Sequence, residues 1–107
     1  MLGRSKDPRA TKALIAALKD PDVEVRHQVI RLSGKLGREV GDVVPALIDV
    51  ATMDDATQNR LAAIQELGDL GPVASRAVEI LTRLAADDVR SSVREAAQAA
   101  LKRIQGK

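Results

Sequence analysis

The chain contains no cysteine, phenylalanine, tyrosine or tryptophan, and His27 is the one histidine among 107 residues. Without cysteine there are no disulfides and no thiolate metal centres, and a single imidazole cannot build a histidine metal cluster. The missing aromatics remove base-stacking platforms, aromatic cages for cations and the usual aromatic anchors of interfaces. No apolar run approaches the roughly 18 residues that a membrane span requires, and no secretory leader pattern opens the chain, so a cytoplasmic setting is expected. Strong charge of one sign is lacking too: 17 Lys and Arg face 15 Asp and Glu, a net +2. That excess is too small to argue for nucleic acid. No stretch alternates apolar and polar residues for long enough to make a strand.

What the chain does contain is a repeat. Leu2-Gly3, Leu36-Gly37 and Leu70-Gly71 recur at intervals of 34 residues, and so do Asp20, Asp54 and Asp88, and Arg26, Arg60 and Arg94. Three columns in phase define units over 2–35, 36–69 and 70–103 within a single domain, 1–107. Each unit reads as two helices. In the first, Asp7-Pro8 places a cap before a proline at the first helical position. Ala13, Leu14, Ala17 and Leu18 then form an apolar stripe at helical spacing. Asp20-Pro21-Asp22 makes a turn in which Asp22 can cap the next helix. Val25, Val29, Leu32 and Leu36 give that helix a core face, and Gly37 ends it.

The second unit repeats the plan with Leu47, Ile48, Val50 and Ala51, a turn at Asp54-Asp55, and then Ala63, Ile64, Leu67 and Leu70 before Gly71. In the third, Gly71-Pro72 breaks the chain and Ala77, Val78, Ile80, Leu81, Leu84 and Ala85 form a first helix. Asp87-Asp88 opens the turn, Ser92-Val93-Arg94-Glu95 fits a capping box, and Val93, Ala97, Leu101 and Ile104 face the core. The connections are short, so neighbouring helices are expected to be antiparallel. The expected fold is all-α: an α-solenoid of three stacked helix pairs.

Each Asp of the Asp column falls at the turn between two helices, and each Arg six residues later falls in the first turn of the second helix. Such an Asp can bind free N–H groups at the helix start, and such an Arg can reach a carboxylate in an adjoining unit with two hydrogen bonds. Here the chain resembles the HEAT-repeat family, in particular the short bacterial HEAT-like repeats also found in phycobilisome lyases. Asp20-Pro21-Asp22-Val23-Glu24-Val25-Arg26 with Leu36-Gly37 carries the likeness, and so do 54–60 with Leu67-Gly68 and 88–94 with Leu101. The resemblance implies that Asp20, Asp54, Asp88, Arg26, Arg60 and Arg94 form a structural ladder along the stack. Tetratricopeptide repeats share the period of 34 but expect aromatic residues that this chain does not have.

Some positions depart from the columns. Asn59 stands where Val25 and Val93 stand, which reads as a lost apolar contact, while Gln98 and Lys102 replace Ile64 and Gly68, as a terminal cap would. Leu2-Gly3 looks like the end of a preceding helix, so the chain is read as a segment of a longer array or a protein with a bare first face. Self-association through bare ends follows from either. By unit the net charge runs +4, −5 and +3, which suits attraction between neighbouring units.

No catalytic constellation emerges. His27 falls off its helix's apolar stripe and is expected at an edge without a chemical role. The pairs Asp54-Asp55 and Asp87-Asp88 sit at turns, where capping explains them. In solenoids that the chain resembles, the second helices line the concave face. Its polar positions would be Glu24, Gln28, Arg31 and Lys35, then Gln58, Gln65 and Asp69, then Glu95, Gln98 and Lys102. Arg31, Lys35, Gln65 and Gln98 are the candidate partner contacts. The function expected is non-enzymatic: a module or scaffold presenting a curved helical surface to a protein partner, without a cofactor or metal. Handling of a bilin chromophore follows from the lyase likeness as an alternative. Weak electrostatic binding of nucleic acid through Arg90, Arg94, Lys102, Arg103 and Lys107 is another, opposed by Asp87, Asp88 and Glu95 among them.

Overall fold

A computed structural model describes residues 8–36 and 42–106. Among these residues the chain is helical throughout its regular structure, in the order α1 (Pro8–Ala17), α2 (Val23–Leu36), α3 (Val43–Met53), α4 (Thr57–Leu70), a 3-10 segment (Gly71–Ala77), α5 (Val78–Asp87) and α6 (Ser91–Gln105). The Leu2-Gly3 pair, the Asp7 cap and the Gly37 stop lie outside the described residues.

Short turns fold α1 onto α2, α3 onto α4 and α5 onto α6, while α4 packs on α2 and α6 packs on α4. The Asp20 and Asp22 carboxylates shape the first turn by accepting from the Asp22 and Glu24 N–H groups at 2.8 Å each. Asp22 therefore caps α2 as its position suggests. At the end of α4, Gly71 takes φ +63°, a left-handed conformation that glycine adopts without a Cβ clash. The 3-10 segment then turns the chain, and Ala77 belongs to it rather than to α5.

Leu47, Ile64, Leu67, Leu70 and Leu81 are fully buried between the two helix layers, joined by Val43, Val44, Val93 and a set of alanines. Alanine keeps the helices close but removes little apolar area per residue. The second helices lie close together at two glycines. A Cβ placed on Gly68 would lie 3.1 Å from the Cα of Ala100 in α6, and one on Gly34 would lie 3.0 Å from the Cβ of Glu66 in α4.

Four expectations are corrected. Val25 and Leu32 are 39% and 52% exposed rather than core. Their counterparts Asn59 and Glu66 in α4, and Val93 and Ala100 in α6, are buried because a preceding helix covers them. Ala13 of the α1 stripe is exposed, and Leu18 carries that stripe's burial. Ser92 forms no capping box: α6 starts at Ser91 after Arg90, and no side chain caps it. Instead the Asp88 carboxylate accepts from the Arg90 N–H at 3.0 Å. Asn59 is no lost contact but a fully buried polar link, described below.

Candidate functional site

One side of the second-helix layer carries a ladder of arginine and aspartate. Arg26 at the start of α2 grips Asp54 with two nitrogens, Nε to Oδ2 at 2.9 Å and Nη2 to Oδ1 at 3.2 Å. Its Nη2 also donates to Asp55 at 2.9 Å, and its Nη1 to the Asp20 carbonyl at 2.8 Å. One rung later Arg60 donates from Nη2 to Asp88 Oδ2, and from Nε to the Ala51 carbonyl at 2.8 Å. Each of these aspartates spends its Oδ1 on its own turn: Asp54 accepts from the Ala56 N–H and Asp88 from the Arg90 N–H. Arg26 thus closes its own turn and the next one together, with planar two-pronged geometry that lysine could not supply, and Arg60 ties the end of α3 to the next turn.

The electrostatics follow this geometry. The hydrogen bond that Arg26 donates to Asp54 raises the Arg26 pKa, burial opposes that, and the charges of Asp54, Asp55 and Asp20 add to the rise. Burial pushes the Asp88 carboxyl up, but the hydrogen bonds from Arg60 and the Arg90 N–H, with the two guanidinium charges, bring it below the usual carboxylate range.

Beyond the ladder lies a cleft of 540 Å³ lined by Gln28, Arg31, Leu32, Gly34 and Lys35 of α2 and by Glu66, Asp69 and Leu70 of α4. Arg31 and Lys35 stand on its rim. Arg31 Nε lies 3.3 Å from Glu66 Oε2, and the Glu66 side chain is 11% exposed. Burial pushes the Glu66 carboxyl up, Arg31 and Lys35 pull it back, and Asp69 adds to the rise. Glu66 reaches this depth because Gly34 presents no side chain opposite it. Sequence reasoning missed it, although one signal was present: Glu66 shares its column with apolar Leu32 and Ala100.

Gln65 lies on a second groove, of 290 Å³, between α4 and α6, with Leu61, Gly68, Ala96, Ala99, Ala100 and Arg103. Arg103 bridges to Asp69 at 2.7 Å. Gln98 lines neither space. It occupies the column of buried Ile30 and Ile64, on the side of α6 that points away from α4, so it does not share a surface with Arg31 and Gln65. His27 is half-buried rather than at a bare edge. Its Nδ1 donates to Asn59 Oδ1 at 3.0 Å, and Asn59 Nδ2 donates to the Val23 carbonyl at 3.2 Å. The imidazole and amide orientations are those that satisfy both bonds.

A ladder of this kind, joining successive parallel helices, is the mark of a helical-repeat protein. The family model for HEAT repeats matches residues 11–102, and the chain belongs to that family. No curated protein matches the chain. No described helix is long and apolar enough to cross a membrane.

Proposed function

We propose that the chain is a protein-binding scaffold, built as an α-solenoid of three antiparallel helix pairs repeating every 34 residues, and that it acts by binding rather than by catalysis. HEAT repeats generally mediate protein–protein interaction, which supports the reading. The ladder residues Asp20, Asp54, Asp88, Arg26, Arg60 and Arg94 serve the framework. Arg31, Lys35 and Gln65 serve the partner. One observation carries this division of labour: Arg26 and Arg60 are largely buried against turns and carboxylates, whereas Arg31, although paired with Glu66, and Lys35 are exposed on the rim of the 540 Å³ cleft. A partner segment bearing carboxylates would meet Lys35 and compete with Glu66 for Arg31.

Arg31 is unsuited to charge reversal, because a second carboxylate beside buried Glu66 would perturb the fold itself. Arg31→Gln with Lys35→Glu is the better probe. The partner captured from lysate by the full chain, under nuclease, is expected to be lost in this variant while far-ultraviolet circular dichroism stays unchanged. Retention of the partner would remove this cleft as the contact surface. Capture abolished by nuclease alone would move the reading to nucleic acid.

A further inference from the structure

One wall of the 540 Å³ cleft is a buried carboxylate whose close cation is held from the solvent side. Glu66 projects over Gly34, and its side chain is 11% exposed. Arg31 stands against it at 3.3 Å with 59% of its own side chain open to solvent, whereas the ladder arginines Arg26 and Arg60 are 12% and 14% exposed. Arg26 holds Asp54 with two hydrogen bonds, and among the described residues Arg31 makes one ion contact with Glu66. A pair of that length and exposure exchanges readily for another anion.

The charges that act on Glu66 lie in the lining of the cleft. α2 brings Arg31 and Lys35, and α4 brings Asp69. From α6, Arg103 pairs with Asp69 at 2.7 Å. Among the described residues, α3 and the 3-10 segment place no charged side chain in the cleft. His27 of α2 is turned to Asn59. Burial favours the protonated Glu66 carboxyl, and the two cations favour the carboxylate. Withdrawing both cations leaves a buried charge uncompensated, and a proton from water is the nearest relief.

We propose that the cleft binds an acidic segment together with a proton: two anionic groups of the ligand take Arg31 and Lys35, and the Glu66 carboxylate they leave takes one proton from solvent. This rests on the reading of the cleft as the partner surface, and adds what regulates that surface. The bound state holds more protons than the free state. Affinity therefore falls as pH rises, by up to about tenfold per pH unit for one linked proton. The window lies above 4.5, the ordinary value that the buried Glu66 carboxyl exceeds. A partner is held more tightly in mildly acidic solution than at neutral pH.

The probe is a capped pentapeptide of glycine with two cysteic acid residues at alternate positions, whose sulfonates stay ionised throughout the window. Arg31 and Lys35 are four apart on one helix face, about 6 Å at Cβ, a span that alternate residues of an extended peptide match. Calorimetric titration of the full chain in two buffers of different ionisation enthalpy counts the protons. Wild type is expected to take up a fraction of one proton and to bind more weakly as pH rises. Glu66→Gln is expected to bind with no uptake and no slope, which also separates Glu66 from His27 in the same seam. Arg31→Gln with Lys35→Glu is expected to lose the probe. Binding that needs these two cations but brings no proton, or brings it equally in Glu66→Gln, overturns this inference and leaves the cleft as the partner surface. Binding indifferent to the two cations, or none at millimolar probe, overturns both. A measurement without ligand tests the proton step alone: the Glu66 δ-carbon, followed by NMR in Arg31→Gln, is expected to titrate at higher pH than in wild type, and an unchanged midpoint overturns the inference. Circular dichroism checks that each variant keeps its helix content.

Discussion

Replacing Gly68 with alanine sets two effects of known sign against each other. In an isolated helix the change is favourable by about 1 kcal/mol, because alanine is the better helix former. In α4 the new methyl would lie 3.1 Å from both the Cα and the Cβ of Ala100, and 3.6 Å from Cδ of Arg103. Arg103 can swing aside. Ala100 cannot, because its atoms move only with α6. Crowding of this kind costs about 1–3 kcal/mol, so Gly68→Ala is expected to be destabilising by about 1 kcal/mol net, lowering the melting temperature by about 5 °C. Gly68→Val, with more bulk at the same place, is expected to lose about 3 kcal/mol. Lys102 stands in the same column on α6 with no described helix against it, so Lys102→Ala should change stability by less than about 0.5 kcal/mol. The assay is urea unfolding followed by far-ultraviolet circular dichroism, since a chain with no aromatic residue gives no intrinsic tryptophan or tyrosine fluorescence. A Gly68→Ala variant stabilised by the full helix-propensity gain would refute the close α4–α6 contact.

Asn59→Ala removes two buried hydrogen bonds that tie α4 to α2, and is expected to cost about 2 kcal/mol. His27→Ala should cost about half that, with a coupling of about 1 kcal/mol between the two in a double-mutant cycle; additive effects would deny the link. Glu66 and Asp88 should give stability opposite dependences on pH. The folded Glu66 carboxyl titrates above its ordinary value of 4.5, so the native state holds more protons in that window and stability falls as pH rises through it. Glu66→Gln is therefore expected to be more stable than wild type at neutral pH and to lose that slope. Asp88 titrates below its ordinary value of 3.8, so its contribution is present above that value and fades as pH falls through the lowered one. Asp88→Asn should narrow the difference between neutral and acid stability, read from urea midpoints at successive pH values.

The helical class and the family were readable because the repeat columns are chemical as well as periodic. Asp20, Asp54 and Asp88 mark turns, and Arg26, Arg60 and Arg94 stand in phase with them. Periodicity also named the apolar faces, but it cannot say whether a neighbour covers them. Val25 and Leu32 belong to a core face by spacing and are open because no described helix lies against them. By its column alone Asn59 reads as a defect, because a polar residue in an apolar column loses a contact if nothing else changes. What changes is His27, one unit earlier, whose ring reaches across and donates to the amide oxygen. That pairing depends on the relative height of two helices, which no single helix encodes. Gln98 shares polarity and exposure with Arg31 and Gln65, yet exposure on a stack has more than one direction, and its column faces away from α4.

The two seams of the second-helix layer differ in kind, and the difference bears on how the scaffold holds its partner surface. Between α4 and α6 the contact columns are Val93, Ala96, Ala97 and Ala100 against Ile64 and Gly68, an apolar and close seam. Between α2 and α4 the same columns hold Asn59 and Glu66, both buried, Asn59 bonded to His27 and the Val23 carbonyl and Glu66 paired with Arg31. A buried polar pair adds little net stability but punishes misregister strongly, because a shifted helix leaves the group unpaired. The first seam thus supplies adhesion and the second supplies register. The candidate partner cleft lies on the second, with Arg31 committed to Glu66 on its inner side and Lys35 open on its rim. An acidic ligand drawing Arg31 away would expose the very carboxylate that fixes α2 against α4. If the proposed cleft is the contact surface, partner binding and the seating of the first helix pair would be coupled through the Arg31–Glu66 ion pair.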